Sequence, residues 1–135
     1  MIVGDITELS IVKVLDPGVP NKECVAIQVN ENLNMGQYGL MLGHYAQNRR
    51  AHPYWDHMYW FGDAILNAGD WVFVYTGSGT VNTAKASNDI NDVYYLYWGK
   101  SSTVFADSIV VPILFRIDAV DVAEPPPNLP QLGNP

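Results

Sequence analysis

A chain of 135 residues with 48% apolar and 12% aromatic side chains can fill one domain core, and it is not a disordered polymer. Seven basic against fourteen acidic residues give a net charge of −7, which excludes the Lys- and Arg-rich surfaces that hold nucleic acid or anionic membranes. Only 16% of residues are charged, so part of the surface is left to apolar or aromatic groups, and such patches mark contacts with a partner.

The first residues, MIVGDITEL, carry no basic segment and no continuous apolar core of the kind a secretion signal needs, and a cytoplasmic location is expected. Leu9 to Leu15 and Glu23 to Val29 alternate and are joined by Asp16-Pro17-Gly18-Val19-Pro20-Asn21-Lys22, which reads as two paired strands about a turn. Cys24 is the sole cysteine and lies in an apolar run, so it is expected to be a small buried filler with no disulfide. Breakers at Asn30 to Gly36 precede a strand at Tyr38 to Leu42, and breakers at Asn48 to Pro53 precede one at Tyr54 to Phe61. Further strands are expected at Trp71 to Thr76, Val93 to Trp98 and Ile109 to Val122, separated by turn-rich stretches at 67–70, 77–92 and 99–102. About seven or eight short strands without a helical period predict an all-β fold, a β-sandwich over residues 1–122. Pro112 cannot donate to a ladder and marks an edge or a bulge. Residues 124–135, EPPPNLPQLGNP, hold five prolines in twelve residues, so 123–135 is expected to be an extended tail.

Two strands have no polar face. In Trp71 to Thr76 one side carries Trp71, Phe73 and Tyr75, the other Val72, Val74 and Thr76; in Val93 to Trp98 the split is Val93, Tyr95, Tyr97 against Tyr94, Leu96, Trp98. Such strands are central with both faces covered, or they present one face to another molecule.

The stretch HPYWDHMYWFG (52–62) holds two of the three histidines and raises the question of a metal site. Strand alternation sends His52, Tyr54, Asp56, Met58 and Trp60 one way and Trp55, His57, Tyr59 and Phe61 the other. That separates the ligands a tetrahedral zinc cage needs. His44, His52 and Asp56 remain as the set for a small metal-dependent enzyme. The glycine stretch Thr76 to Thr80 lacks the spacing of a phosphate cradle, since the first glycine of such a loop before Gly99-Lys100-Ser101 would fall on Tyr94. It reads as a hairpin or long loop. Residues 87–92, Ser-Asn-Asp-Ile-Asn-Asp, cluster oxygen atoms suited to calcium but lack the spacing of a helix–loop–helix calcium site.

Three segments carry a family resemblance. Glu23-Cys24-Val25-Ala26-Ile27-Gln28-Val29-Asn30 fits an E-x-V-x-I-x-N strand; Leu66-Asn67-Ala68-Gly69-Asp70-Trp71-Val72-Phe73-Val74-Tyr75-Thr76-Gly77-Ser78-Gly79 and Leu96-Tyr97-Trp98-Gly99-Lys100-Ser101-Ser102-Thr103-Val104-Phe105 fit two others. In this order, over about residues 9–117, the chain resembles bacterial forms of the lamin-tail domain. Two segments depart from the pattern: Gln37-Tyr38-Gly39-Leu40, and Ala106 to Leu114. The resemblance implies an immunoglobulin-like β-sandwich that serves as a binding or structural module without catalytic residues and without a cofactor.

The expected function is therefore non-enzymatic protein–protein contact, with self-association through a ring-rich sheet face and the tail. The candidate contact residues are Trp55, Tyr59, Trp60, Tyr94, Tyr95, Tyr97, Trp98, Pro125, Pro126 and Pro127, because Trp and Tyr bury much area at low entropic cost. A carbohydrate or small-ligand platform is a second use of the same rings.

Overall fold

The computed structural model describes residues 4–127. β1 (Leu9–Leu15) and β2 (Cys24–Val29) pair antiparallel, Leu9 opposite Val29 and Leu15 opposite Cys24. The turn between them places Asp16, Gly18 and Asn21 at φ of 46°, 81° and 62°, a region that Gly enters freely and Asp and Asn tolerate. There follow β3 (Leu33–Asn34), a 3-10 turn (Met35–Gln37), β4 (Tyr38–Gln47), β5 (Arg50–Trp60), β6 (Ile65–Leu66) and β7 (Trp71–Tyr75). β8 (Asn82–Lys85), β9 (Asp92–Tyr97) and β10 (Val110–Arg116) complete the order, and among the described residues there is no α-helix.

The strands make a five-stranded sheet in the order β1-β2-β7-β9-β8 and a three-stranded sheet in the order β10-β4-β5, with β3 and β6 forming a short pair of their own. The fold is an all-β sandwich. β7 and β9 run parallel, Trp71 opposite Val93 and Tyr75 opposite Tyr97. The chain leaves β7 for β8, reverses, and returns as β9 between the two, so β8 and β9 are antiparallel.

Period-two patterning decides what lies between the sheets. Val25, Ile27 and Val29 of β2, Val72 and Val74 of β7 and Leu96 of β9 form one buried cluster with Tyr38, Leu40 and Leu42 of β4 and with Phe61. Each such side chain contributes about 1.5–3 kcal/mol by leaving water. A charge at Ile27, which has no accessible surface, would undo its share.

Two buried carboxylates clamp opposite ends of the β2–β7 pair. At the start of β2, Glu23 accepts hydrogen bonds from the backbone N–H groups of Gly18 (2.8 Å), Val104 (2.8 Å) and Phe105 (2.9 Å) and from the Thr76 hydroxyl (2.7 Å). Burial pushes its carboxyl up. The donors from Val104, Thr76, Gly18 and Phe105 together outweigh that and hold it below its ordinary value. At the start of β7, Asp70 accepts from the N–H of Asn67 (2.8 Å), the N–H of Asp92 (2.9 Å) and the amide of Asn91 (3.2 Å). Each carboxylate thus satisfies turn amides that no ladder reaches.

Three expectations are corrected. The last strand ends at Arg116, not Val122, because Ile117 is the final residue with a backbone partner: its N–H donates to Gln37 O at 2.6 Å, just before β4 begins. The turn-rich stretch 77–92 contains β8, whose partner is β9. β4 and β5 extend well past Leu42 and start before Tyr54, forming a long hairpin. Residues 117–127 show no strand, and Pro125, Pro126 and Pro127 are exposed; the remainder of the proline-rich tail lies outside the described residues.

Candidate functional site

Both sheets carry rings on their outward faces, but the rings are held differently. On the five-stranded sheet, Trp71, Phe73, Tyr75, Tyr95 and Tyr97 point away from the core. Trp71 and Phe73 meet edge to face at 5.8 Å, Phe73 and Tyr95 likewise at 5.8 Å, and Tyr75 and Tyr97 stack at 5.4 Å. Such pairs contribute about 0.5–1.5 kcal/mol beyond their area. Gly79 lies so close to Tyr97 that a Cβ there would come within 2.5 Å of the ring, so the glycine stretch acts as a cover on this ladder.

The three-stranded sheet exposes its apolar groups. A bulge in β5 decides how. Met41 pairs with Met58 and Gly43 with Pro53, so Tyr54, Trp55, Asp56 and His57 all oppose the single residue Leu42. Asp56 turns through φ 59°, and His57 Nδ1 sits 2.5 Å from Trp55 O, fixing a local loop that pushes its rings outward. Trp55 is 89% exposed, Met58 64% and Trp60 47%. The Trp60 indole N–H donates to Gly36 O at 2.7 Å, which fixes its ring at the rim. Beside them on the outward face lie Met41, Ile113 and Phe115. Gly39, opposite both Trp60 and Phe115, has no room for a Cβ under the Phe115 ring.

The sequence-predicted contact residues therefore do not share a face. Trp55 and Trp60 stand on the β5 side of the three-stranded sheet, and Tyr95 and Tyr97 on the opposite outer face of the molecule. Tyr59 and Trp98 turn inward and stack on each other at 5.7 Å, with the Lys100 ammonium 5.2 Å from the Trp98 ring centre. Tyr94 also turns inward, packs against the core and donates to Ile65 O at 3.4 Å. These three are packing residues at the seam of the sandwich. Met41 and the exposed Tyr45 of β4 were not singled out by the sequence, and Met58 was set beside Trp60 only by alternation; the apolar content of β4 does not reveal which side faces water.

The bulge also overturns the simple alternation along 52–61. Met58 and Trp60 do share a face, but His52 falls on the other side, opposite His44 across the ladder. His44 Nδ1 lies 3.4 Å from the Tyr54 hydroxyl. Among the described residues no three His, Cys, Asp or Glu side chains come together as a metal set, so His44, His52 and Asp56 do not converge. In the 87–92 loop Asn88 Oδ1 accepts from the N–H groups of Ile90 and Asn91, both at 3.0 Å, Asn91 Oδ1 accepts from the Asn88 amide at 2.7 Å, and Asp92 Oδ1 pairs with the Lys85 ammonium at 3.0 Å. Cys24 is buried, and burial with Asp16 nearby pushes its thiol up to about 12.

No protein-family model, curated protein or solved structure matches this chain.

Proposed function

We propose that this chain is a lamin-tail-like, immunoglobulin-like sandwich that works without catalysis, by protein–protein contact, and that it self-associates through the outward face of the three-stranded sheet. The observation that carries the reading is the grouping of Trp55, Met58 and Trp60, from 47% to 89% exposed, on one strand. Exposed tryptophan and methionine side chains grouped on one strand have the composition of an interface centre, where Trp anchors contribute most. The lamin-tail reading is supported by the placement of its three motif segments on β2, on β7 and on β9 with the loop after it.

Sedimentation velocity over a wide concentration range tests this. The wild-type chain is expected to form a reversible oligomer that Trp55→Ser with Met58→Ser weakens. A strict monomer at every concentration defeats it. A shift of tryptophan fluorescence on adding oligosaccharides, in that monomer, would instead assign the rings to sugar.

A further inference from the structure

The edges of the sandwich hold a second feature. β1 and β10 are each the terminal strand of their sheet, and among the described residues both have one side without a strand partner. The two lie close together: the Arg116 guanidinium donates to Glu8 Oε2 at 2.7 Å, and the Tyr38 hydroxyl donates to the same oxygen at 2.7 Å. Between them runs an open groove of about 1650 Å³ whose walls include Ile6, Leu9 and Ile11 on one side and Ile113 and Leu114 on the other. That exceeds the roughly 300–1,000 Å³ of a small-molecule cleft.

Ladder parity shows what β10 offers there. Tyr45 N–H donates to Ile109 O, and Ile117 N–H donates to Gln37 O. In an antiparallel ladder the odd-numbered residues of β10 therefore bond β4, and the even-numbered ones turn their backbone to the free edge. Pro112 is even-numbered, so the ladder with β4 loses no donor to it, which is how a proline survives in this strand. The N–H groups of Leu114 and Arg116 and the carbonyls of Pro112, Leu114 and Arg116 have no partner among the described residues and face an incoming strand.

A matching strand leaves the same chain. Beyond Ile117, residues Asp118 to Pro127 make no hydrogen bond to any described residue. In Asp118-Ala119-Val120-Asp121-Val122-Ala123-Glu124 the two valines alternate onto one side, and they are 76% and 82% exposed. The segment carries three carboxylates. The groove's walls include Arg49 and Arg50, which make no ion pair among the described residues, together with Arg116, which is paired with Glu8, and the acids Asp5 and Asp118. The hydrogen bonds of Ile117 with Gln37, to its carbonyl and from its side-chain amide, anchor the start of the segment at the end of β10, where Asp118 borders the groove.

We infer that residues 118–124 of one copy add as a β-strand to the free edge of β10 in a second copy, with Val120 and Val122 seated in the groove between β1 and β10. The arrangement is strand addition, in which main-chain bonds supply affinity and alternate side chains supply specificity. Donor and acceptor are different segments of the chain, so the contact closes reciprocally as a two-fold pair or runs head-to-tail into rings or filaments. The inference rests on the self-association proposed above but assigns it a second surface.

The test uses the full chain. Val120→Asp with Val122→Asp alters only exposed positions, and circular dichroism is expected to match wild type. Its self-association, by sedimentation velocity, is expected to weaken at least about tenfold, the effect of removing two buried valines from an interface. A fluorescein-labelled peptide of residues 117–127 is expected to bind this variant by anisotropy, and a scrambled peptide is not. Wild-type association in V120D/V122D, or no binding of the peptide, overturns the inference. If V120D/V122D associates normally while Trp55→Ser with Met58→Ser does not, the strand exchange falls and the aromatic face stands. A wild-type chain that is monomeric throughout removes both.

Discussion

The outward faces of the two sheets are alike in composition and unlike in mechanics. On the five-stranded sheet five rings lean on one another, at 5.4 to 5.8 Å, so each shields its neighbour and none is strongly exposed. The ends of that sheet are fixed by Glu23 and Asp70, each satisfying several amides from distant turns. On the three-stranded sheet a long hairpin reaches past the core, its tip turning through three successive positive φ values at Gln47, Asn48 and Arg49. Its rings are spread by the β5 bulge instead of stacked, and Trp55 touches little. Aromatic content alone therefore does not mark a binding face. What separates the two faces is whether the rings have already met one another.

The largest expected effect lies at the clamp. Glu23→Ala leaves the Thr76 hydroxyl and the Val104 and Phe105 amides without their acceptor in a buried site, and is expected to lower unfolding free energy by about 3 kcal/mol or more in urea denaturation. The same carboxyl gives a pH signature. Because folding holds it below its ordinary value of 4.5, its stabilisation is complete above that pH and is lost as pH falls through the lowered value. Glu8, which its own backbone N–H, the Tyr38 hydroxyl and Arg116 hold down to about 2, acts in the same direction. Acid titration of Tm is expected to steepen below pH 4.5, and Glu23→Gln to flatten part of that limb.

Next comes the ring ladder. Phe73→Ala removes the bridge between Trp71 and Tyr95 and is expected to cost about 1–3 kcal/mol, with oligomer mass unchanged in light scattering. A loss of association without a loss of stability would reverse the roles assigned to the two faces. Trp55→Ser with Met58→Ser is expected to change stability by no more than about 0.5 kcal/mol, since both side chains are mostly in water, while weakening self-association. The smallest expectation is a null: the Cys24 thiol, buried and pushed up to about 12, is expected to stay silent toward a thiol reagent at pH 8 until the protein unfolds.

Much of the fold was legible because period-two alternation and turn chemistry act locally. Val25, Ile27 and Val29, Val72 and Val74, and Leu96 with its neighbours could be assigned to strands from their spacing, and Asp16 to Lys22 to a turn from its Pro, Gly and Asn. Pro112 named its own edge. Residues 82–85 and 117–122 went the wrong way for one shared reason: a strand exists only where a neighbour supplies partners. Asn82 to Lys85, polar and unremarkable, find β9, whereas the alternating residues after Ile117 find no strand to pair with.

Sequence by itself determined that this is an all-β chain with a net charge of −7 and 12% aromatic side chains, because those properties are sums over residues or depend on neighbours two apart. Only the tertiary structure decided where each ring went. A four-residue excursion opposite Leu42 resets the alternation of β5, sending His52 to the other side from Met58 and Trp60. The parallel seating of β9 beside β7 brings Tyr97 onto Tyr75 and turns Trp98 inward onto Tyr59. Register and bulges are fixed by which strands meet across the chain, and that information is not local.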